Sequence, residues 1–340
     1  MKAAIVLRPG ELAVRDLPMP VPGPYQMLCR IRYGASCTAT DQHILDQTIP
    51  FPVPLPTILG HESVAEVVEV GKKVRHFKVG DRIARVGAPA YPALGIHSGW
   101  GGFAEYGLAG DALAMQRDGL PESEWKNARV NRLIPEDIDL KSAPMMITWR
   151  ETLSYITRMG MRPGRRVLII GTGGNGLSFV RHAANMGAEF VACVGSGRRE
   201  NQASQCGANA FFSYNDPGLS EKLEPFREKG FDLVVDAVGH SGGLNAYLPL
   251  LGPEAVVGIY GIEGQQQMRM NPLLARYSFR FNQAGYEEYE THDRVVDYMR
   301  LGMLDAGPFY DREHPFALSD IARAFAQLKT HSMVKALIEM

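Results

Sequence analysis

Apolar residues in the middle of the chain come in short runs, separated by segments with a helical period. Residues 177–186 carry apolar side chains at helix-like spacing, and residues 221–228 form a shorter helical pattern. Short apolar, β-branched runs are typical of strands that are buried on both faces. Their alternation with helices predicts a doubly wound α/β domain with a parallel sheet. The predicted strands are residues 166–170, 190–194, 210–212, 233–238 and 255–260.

The first 147 residues have a different pattern, in which short strand-like stretches are punctuated by proline and glycine. Strands at this spacing predict an all-β, barrel-like domain. After about residue 283 the pattern becomes two amphipathic helices, 293–301 and 320–328, and a final strand at 334–338. Ser319 is a natural N-cap for the second helix. We therefore predict a β domain at 1–147, an inserted cofactor domain at 148–283, and a tail at 284–340 that returns to the first domain.

A glycine-rich turn follows the first strand of the α/β domain. Its residues are Gly171, Thr172, Gly173, Gly174, Asn175 and Gly176. Gly171 permits the tight turn, Gly173 lets the main chain approach a pyrophosphate, and Gly176 lets helix and strand pack closely. The free N–H groups and the positive dipole at the helix start favour phosphate. In this strand–turn–helix setting the motif predicts a dinucleotide site rather than a structural turn.

The end of the second strand indicates which dinucleotide is preferred. An NAD site usually has an acidic residue there, which binds the ribose 2′-hydroxyl, whereas a 2′-phosphate requires cations and small donors. This chain has Gly195 and Ser196 at that place and Arg198 and Arg199 just beyond. An arginine fork suits a phosphate. We predict NADP in preference to NAD; the alternative is that both arginines belong to a solvated helix start.

Composition excludes several other classes of protein. The net charge of -1 over 340 residues gives no reason to expect nucleic acid or an anionic membrane as partner. We find neither a signal sequence nor an apolar run of spanning length, so we expect a cytoplasmic protein. The four cysteines, Cys29, Cys37, Cys193 and Cys206, form no C-x-x-C pair. That pattern fits a reducing compartment and not a disulfide framework.

A second group of motifs lies mainly upstream of the glycine turn. It comprises Cys-Thr-Ala-Thr-Asp-Gln-His at 37–43, Gly-His-Glu at 60–62, Val-Gly-Asp-Arg at 79–82, Gly-Gly-Phe-Ala-Glu-Tyr at 101–106, and Met-Val-Lys-Ala-Leu at 333–337. In this order, with the glycine turn, the set resembles the zinc-containing medium-chain alcohol dehydrogenase family nearly end to end. The resemblance implies a Rossmann domain inserted into a GroES-like β-barrel catalytic domain. It also implies a homodimer or homotetramer acting on a small alcohol or carbonyl compound.

The resemblance also assigns roles in the catalytic domain. Cys37 and His61 would bind a catalytic zinc ion, for which thiolate and imidazole are good ligands. Thr40 would pass the alcohol proton onward and His43 would carry it toward solvent. Asp41 would orient His61 from behind, as carboxylates often do for a ligating imidazole. The bound ion would act as a Lewis acid during hydride transfer to the nicotinamide.

Three departures from the family pattern change the expected ligand set. Both Thr38 and Ala39 separate Cys37 from the Thr-Asp pair, where the family usually has one residue. The usual third ligand falls at about Met146, and a thioether is a poor zinc donor. We therefore expect Glu62 as third ligand, with Glu151 as the less favoured substitute. The residues 86–100 contain no cysteine, so a structural zinc lobe is not expected.

Several alternatives stay open at this point. Cys37 and His61 could be ordinary buried residues of a metal-free site. The chain could then be a zinc-free NADPH-dependent quinone or enone reductase of the same superfamily, or a nucleotide-binding protein without activity. Trp100, Trp149 and Tyr91 could line a substrate pocket or simply pack in the core. The substrate itself, which could be an alcohol, a polyol or a sugar, is not specified by these patterns.

Overall fold

The computed structural model describes residues 1–37, 39–264, 267–282 and 285–340. The chain forms two compact units. Met1–Arg150 and Glu288–Met340 make the first, and Glu151–Glu287 the second. Thr38, which enters the predicted spacing around Cys37, and the predicted boundary between residues 283 and 284 lie outside the described residues.

The strands and helices are numbered in chain order. The strands are β1 (Lys2–Arg8), β2 (Glu11–Asp16), β3 (Gln26–Ala35), β4 (Thr57–Ile58), β5 (Glu62–Val70), β6 (Arg82–Ala84), β7 (His97–Ser98), β8 (Tyr106–Gly110), β9 (Arg132–Leu133), β10 (Arg166–Ile170), β11 (Phe190–Gly195), β12 (Ala210–Ser213), β13 (Phe231–Asp236), β14 (Leu251–Ile259), β15 (Phe279–Asn282), β16 (Phe316–Ala317) and β17 (Leu337–Glu339). The α-helices are α1 (Thr40–Asp46), α2 (Ala112–Arg117), α3 (Glu122–Trp125), α4 (Met145–Arg158), α5 (Gly174–Asn185), α6 (Glu200–Gln205), α7 (Leu219–Leu223), α8 (His292–Arg300) and α9 (Ile321–Lys329).

The second unit contains a six-stranded sheet in the order β12-β11-β10-β13-β14-β15. Every neighbouring pair is parallel, with Val167 of β10 level with Val191 of β11 and Leu233 of β13. In chain order within the unit this is the 3-2-1-4-5-6 arrangement of dinucleotide-binding sheets. Leu168 and Val234 are fully buried in its core, as expected for strands covered on both faces. The turn after β10 therefore lies where the strand order reverses.

The first unit is built mainly from antiparallel strands. One sheet has the order β2-β1-β4-β7, and the other runs β16-β17-β3-β5-β6-β9, with β8 also paired to β3. Strand β17, near the end of the chain, pairs antiparallel with β3. The C-terminal residues thus form part of the sheet that carries the polar motifs of the N-terminal half.

The chain leaves and re-enters the first unit at a buried polar cluster. Arg150 is fully buried and donates to Glu288 at 2.6 Å and to the carbonyl of Val130 at 3.0 Å. His292 lies beside it, and its Nε2 is 2.9 Å from the carbonyl oxygen of Leu133. Burial, and then the charge of Arg150, lower the pKa of His292 to about 3. The imidazole is therefore a neutral donor within this cluster.

Two local predictions are wrong, and the final strand, predicted at 334–338, begins only at Leu337 and ends at Glu339. The predicted helix at 221–228 is instead α7, which ends at Leu223, followed by a 3-10 helix over Glu224–Arg227. Pro225 ends the α-helical pattern because it lacks an N–H and its ring clashes with the preceding turn. Ser319 does not cap a helix either, since it lies within the 3-10 helix Leu318–Asp320, and α9 begins only at Ile321. In the described parts of the chain, no helix has the length and apolarity needed to span a membrane.

Candidate functional site

Three of the predicted metal ligands meet in the first unit. Cys37 follows β3, His61 directly precedes β5, and Glu62 is the first residue of β5. Strands β3 and β5 are antiparallel partners with Ala35 opposite Glu62, so their pairing brings the three residues together. All three are buried, and one donor atom from each lies within 4.8 Å of the others. The structure thus places them as one cluster.

Asp41 lies against the imidazole of this cluster. Its Oδ1 is 3.3 Å from His61 Nδ1, in ion-pair range but without hydrogen-bond alignment. Its Oδ2 accepts a 2.8 Å hydrogen bond from the backbone N–H of Cys37. Burial lowers the pKa of His61, but Asp41 and Cys37 outweigh that effect and hold the pKa well above 6.5. The surroundings of His61 therefore favour positive charge.

Lys335, which lies in the motif at 333–337 but received no role from the sequence, completes the cluster. Lys335 is fully buried, and its Nζ donates to Glu62 Oε1 at 2.6 Å, to Glu62 Oε2 at 2.7 Å and to the carbonyl of Ser36 at 3.0 Å. Thr148 also donates to Glu62 Oε1, at 2.9 Å. Burial lowers the pKa of Lys335, yet the charge of Glu62 outweighs it and raises that pKa above 10.5. The one feature of the sequence that could have indicated this buried residue is a lysine within a mostly apolar C-terminal stretch.

The donor set fits a divalent cation such as zinc. Zinc bonds of about 2.0–2.3 Å place tetrahedral ligand atoms roughly 3.3–3.8 Å apart. The three donor atoms lie within 4.8 Å of one another, so shifts of about 1 Å would bring them into that range. The buried cluster offers a thiol, an imidazole and a carboxylate, which are the ligand types that zinc binds. A cation would take the place of the proton that the surroundings of His61 favour, because ligands bind a metal in their deprotonated form. The residues present therefore suit the ion that the motifs suggest.

The other two predicted ligand positions differ in character. Met146 is fully buried in α4 and offers a thioether. Glu151 belongs to the second unit, where its carboxylate accepts a 3.1 Å hydrogen bond from Tyr260. Within the first unit the cluster therefore rests on Cys37, His61 and Glu62.

The proposed proton-transfer residues lie on the short helix α1. Thr40 is its first residue and is half-buried. His43 follows three positions later, so the two side chains are neighbours on the helix surface. The imidazole Nδ1 of His43 is 2.7 Å from Thr48 Oγ1. Asp41, between them in sequence, points into the buried cluster.

The glycine turn of the second unit has the geometry expected for each glycine. Gly171 has φ 104°, in the left-handed region, and a side chain on Gly176 would collide with the carbonyl of Gly171. Gly173 precedes α5, and a Cβ built there meets nothing within 4 Å. Open space at that point is what a pyrophosphate requires. Thr172, Gly174 and Asn175 complete the turn and the first residues of the helix.

The end of β11 carries the residues predicted to choose the dinucleotide. Gly195 packs so closely on Thr172 that a side chain would collide with it, and Ser196 donates its N–H to Thr172 Oγ1 at 3.2 Å. Arg198 and Arg199 follow in a 3-10 helix, the first exposed and the second buried. Burial, and then the charge of Arg198, lower the pKa of Arg199. Two adjacent cations thus stand at the strand end.

A parallel dinucleotide-binding sheet in one unit and a buried Cys–His–Glu set in the other define a class of nucleotide-dependent dehydrogenases. Residues 23–118 match the alcohol dehydrogenase GroES-like domain, and residues 174–293 match the zinc-binding dehydrogenase domain. The chain belongs to the zinc-containing medium-chain alcohol dehydrogenase family.

Individual relatives are distant. The NADP-dependent alcohol dehydrogenase C 1 of Mycolicibacterium smegmatis is 29% identical over 266 residues, 75% of this chain and 74% of the relative. The L-threonine 3-dehydrogenase of Shewanella frigidimarina is 25% identical over 99% of both proteins. A Sinorhizobium meliloti structure described as a zinc-binding dehydrogenase bound to NADP has a TM-score of 0.79 at 24% identity, covering 100% of this chain and 99% of that one.

These findings confirm the predicted family, the fold class and the general activity. The fold is a Rossmann domain with a GroES-like domain, and the enzyme class is an oxidoreductase that uses NAD(P). The family match and the parallel sheet carry this conclusion together.

Proposed function

We propose that the protein is a zinc-dependent dehydrogenase that prefers NADP and transfers hydride reversibly between a small alcohol and the nicotinamide. The buried cluster of Cys37, His61 and Glu62, with Asp41 behind His61, is the observation that carries this proposal. The three side chains would hold the ion. When bound, zinc would act as a Lewis acid that lowers the pKa of the substrate hydroxyl, and NADP would accept the hydride.

The protein's own residues prepare this chemistry. Asp41 faces Nδ1 of His61, which leaves Nε2 on the side of Glu62, 3.9 Å from Oε1. A carboxylate behind a ligating imidazole fixes the ring and raises its basicity. Thr40 would take the hydroxyl proton, and His43, which is also half-buried and lies three residues further along the same helix, would release it to solvent.

Zinc content tests the metal directly. Protein purified without chelator should contain about one equivalent of zinc, and Cys37→Ala or His61→Ala should lower this below about a tenth. Cys29→Ala is the matched control, because Cys29 is a buried cysteine on β3 outside the cluster. Full activity in chelator with less than about a tenth of an equivalent of zinc would refute the metal-dependent reaction.

The preference for NADP depends on the cations after β11. Arg198→Ala should lower kcat/KM for NADP about tenfold and leave that for NAD within about twofold, because only NADP carries the 2′-phosphate. Arg276→Ala is the control, because Arg276 is an exposed arginine of the same unit, and it should leave kcat/KM for both cofactors unchanged. An equal loss with both cofactors would contradict the assignment of Arg198 to the phosphate.

A second candidate is a zinc-free reductase of activated double bonds that uses NADPH. Two observations favour it: Met146 stands at the usual third-ligand position, and Glu62 is already bonded to Lys335. Activity with enones but not with alcohols, unaffected by chelator, would select this function.

A further inference from the structure

Two residues with left-handed backbone contact His61. Among the described non-glycine residues with positive φ are Arg85, at 66°, and Trp100, at 68°. Arg85 Nη1 donates to the carbonyl of His61 at 2.6 Å, and the indole of Trp100 lies 5.4 Å from the imidazole, centroid to centroid, at 56°. Bulky side chains adopt this backbone conformation only where their surroundings impose it, and such residues concentrate at functional sites.

The backbone around Trp100 is fixed from both sides. Gly99 donates to the carbonyl of Ile58 at 2.8 Å, and Gly102 donates to the carbonyl of Gly60 at 2.7 Å. A side chain on Gly87 would collide with the carbonyl oxygen of Trp100. The segment is therefore held against the residues that precede His61, and the position of the indole is set by the fold.

The indole is much more exposed than the charged residues of the cluster. Asp41, Glu62 and Lys335 are at most 1% exposed in their side chains and are bonded within the cluster. Trp100 is 44% exposed. A large apolar side chain held beside a buried ligand cluster presents a flat apolar surface to whatever approaches His61.

We propose that the carbon substituent of the substrate packs on the indole of Trp100, so that the enzyme selects alcohols with an aryl or branched alkyl group over polyols. This proposal rests on the dehydrogenase function proposed above. An apolar group gains by covering the ring, whereas each further hydroxyl of a polyol would lose water against a surface without a matching acceptor. Trp100 is then a specificity-determining residue.

Kinetics with three alcohols test the selection. The wild-type enzyme should have a higher kcat/KM for benzyl alcohol than for xylitol. Trp100→Ala should raise KM for benzyl alcohol about tenfold or more and change KM for ethanol less than about twofold, since ethanol covers little of the ring. Trp100→Phe should retain most of the preference. A preference of the wild type for xylitol, or an equal change for all three alcohols, would overturn the proposal.

A binding measurement separates this proposal from the proposed reaction. Benzyl alcohol added with NADPH, without turnover, should change the fluorescence of wild type and Trp125→Phe but not that of Trp100→Phe. If no alcohol is oxidised but this Trp100-dependent signal is present, the dehydrogenase function fails and the binding surface stands. If alcohols are oxidised but saturating benzyl alcohol gives no Trp100-dependent signal, the surface fails and the reaction stands. If neither is seen, both are refuted.

Trp100→Gly distinguishes a substrate surface from a packing residue. Glycine adopts positive φ without penalty, so this variant should melt at the same temperature as the wild type or higher. Its KM for benzyl alcohol should still be about tenfold higher than that of the wild type. A marked fall in Tm, with KM for all alcohols changed equally, would show that the indole serves only to pack His61.

Discussion

Replacing Lys335 by methionine tests how the buried cluster is stabilised. Lys335 and Glu62 are each 1% exposed in their side chains, and their two contacts are 2.6 and 2.7 Å long. Methionine fills a similar volume but carries no charge. The substitution therefore leaves the Glu62 carboxylate buried without its lysine, with Thr148 donating to Oε1 and His61 Nε2 at 3.9 Å from the same oxygen.

The expected cost follows from the burial of the pair. Removing one partner of a buried ion pair typically costs about 3–5 kcal/mol, because the other charge stays without compensation. Lys335→Met with Glu62→Gln removes both charges, and replacing both partners is often nearly neutral. The double variant should therefore recover most of the stability lost in the single one, and the coupling should be about 2–4 kcal/mol.

Denaturant unfolding of chelator-treated protein provides the measurement, since bound metal would add its own stabilisation by mass action. Trp100, Trp125 and Trp149 all belong to the first unit, so tryptophan fluorescence reports its unfolding. Lys329→Met is the matched control. Lys329 bonds Asp46 at 2.9 Å on the surface, where such pairs are worth up to about 1 kcal/mol.

Two results would refute this reasoning. The first is a decrease of less than about 1 kcal/mol in the free energy of unfolding of Lys335→Met, comparable to the decrease in the surface control. The second is a double variant no more stable than Lys335→Met, which would mean that the lysine stabilises the fold through contacts other than Glu62.

Further predictions concern the glycine turn and the buried histidine. Gly173→Ala should weaken NADPH binding at least about tenfold with unchanged Tm, because the added Cβ fills the space that the pyrophosphate requires. Gly176→Ala should lower Tm, because its side chain meets the carbonyl of Gly171. Titration and scanning calorimetry measure the two effects, and a Gly176→Ala variant as stable as the wild type would contradict the packing argument. The pKa of His292 is lowered to about 3, so the unfolded state binds more protons between pH 3 and 6.5. The contribution of His292 to the free energy of unfolding should be fully present above pH 6.5. It should fall by at most about 4–5 kcal/mol as the pH drops toward 3. His292→Gln should flatten this dependence and the exposed His97→Gln should not; equal profiles would exclude His292 as its source.

The features that could be predicted are those written in contiguous sequence. The glycine turn places its three spaced glycines on a strand end, a tight turn and a helix start, and each has a separate steric role. The strands beside it are apolar on both faces, so their runs are visible without knowing their partners. Local capping was less predictable: Ser319 has the right side chain for an N-cap, but the chain there continues as a 3-10 helix into α9.

The buried ion pair could not be predicted in this way. Lys335 and Glu62 are separated by 273 residues, and they meet because β17 pairs with β3, which pairs with β5. A lysine in a short apolar stretch is compatible with an exposed strand edge as well as with a buried charge. Only the sheet order distinguishes the two.

The adjacency of His61 and Glu62 shows why the ligand prediction needed the structure. Consecutive residues of a regular strand point to opposite faces, so neighbours within β5 could not face one site. Strand β5 begins at Glu62, and His61 lies outside it, after Gly60 with φ 93°. A Cβ on Gly60 would come within 2.6 Å of the Phe103 ring, so the chain turns at a point where only glycine fits. The break in the strand pattern at Gly60 is therefore what allows two successive side chains to face the same cluster.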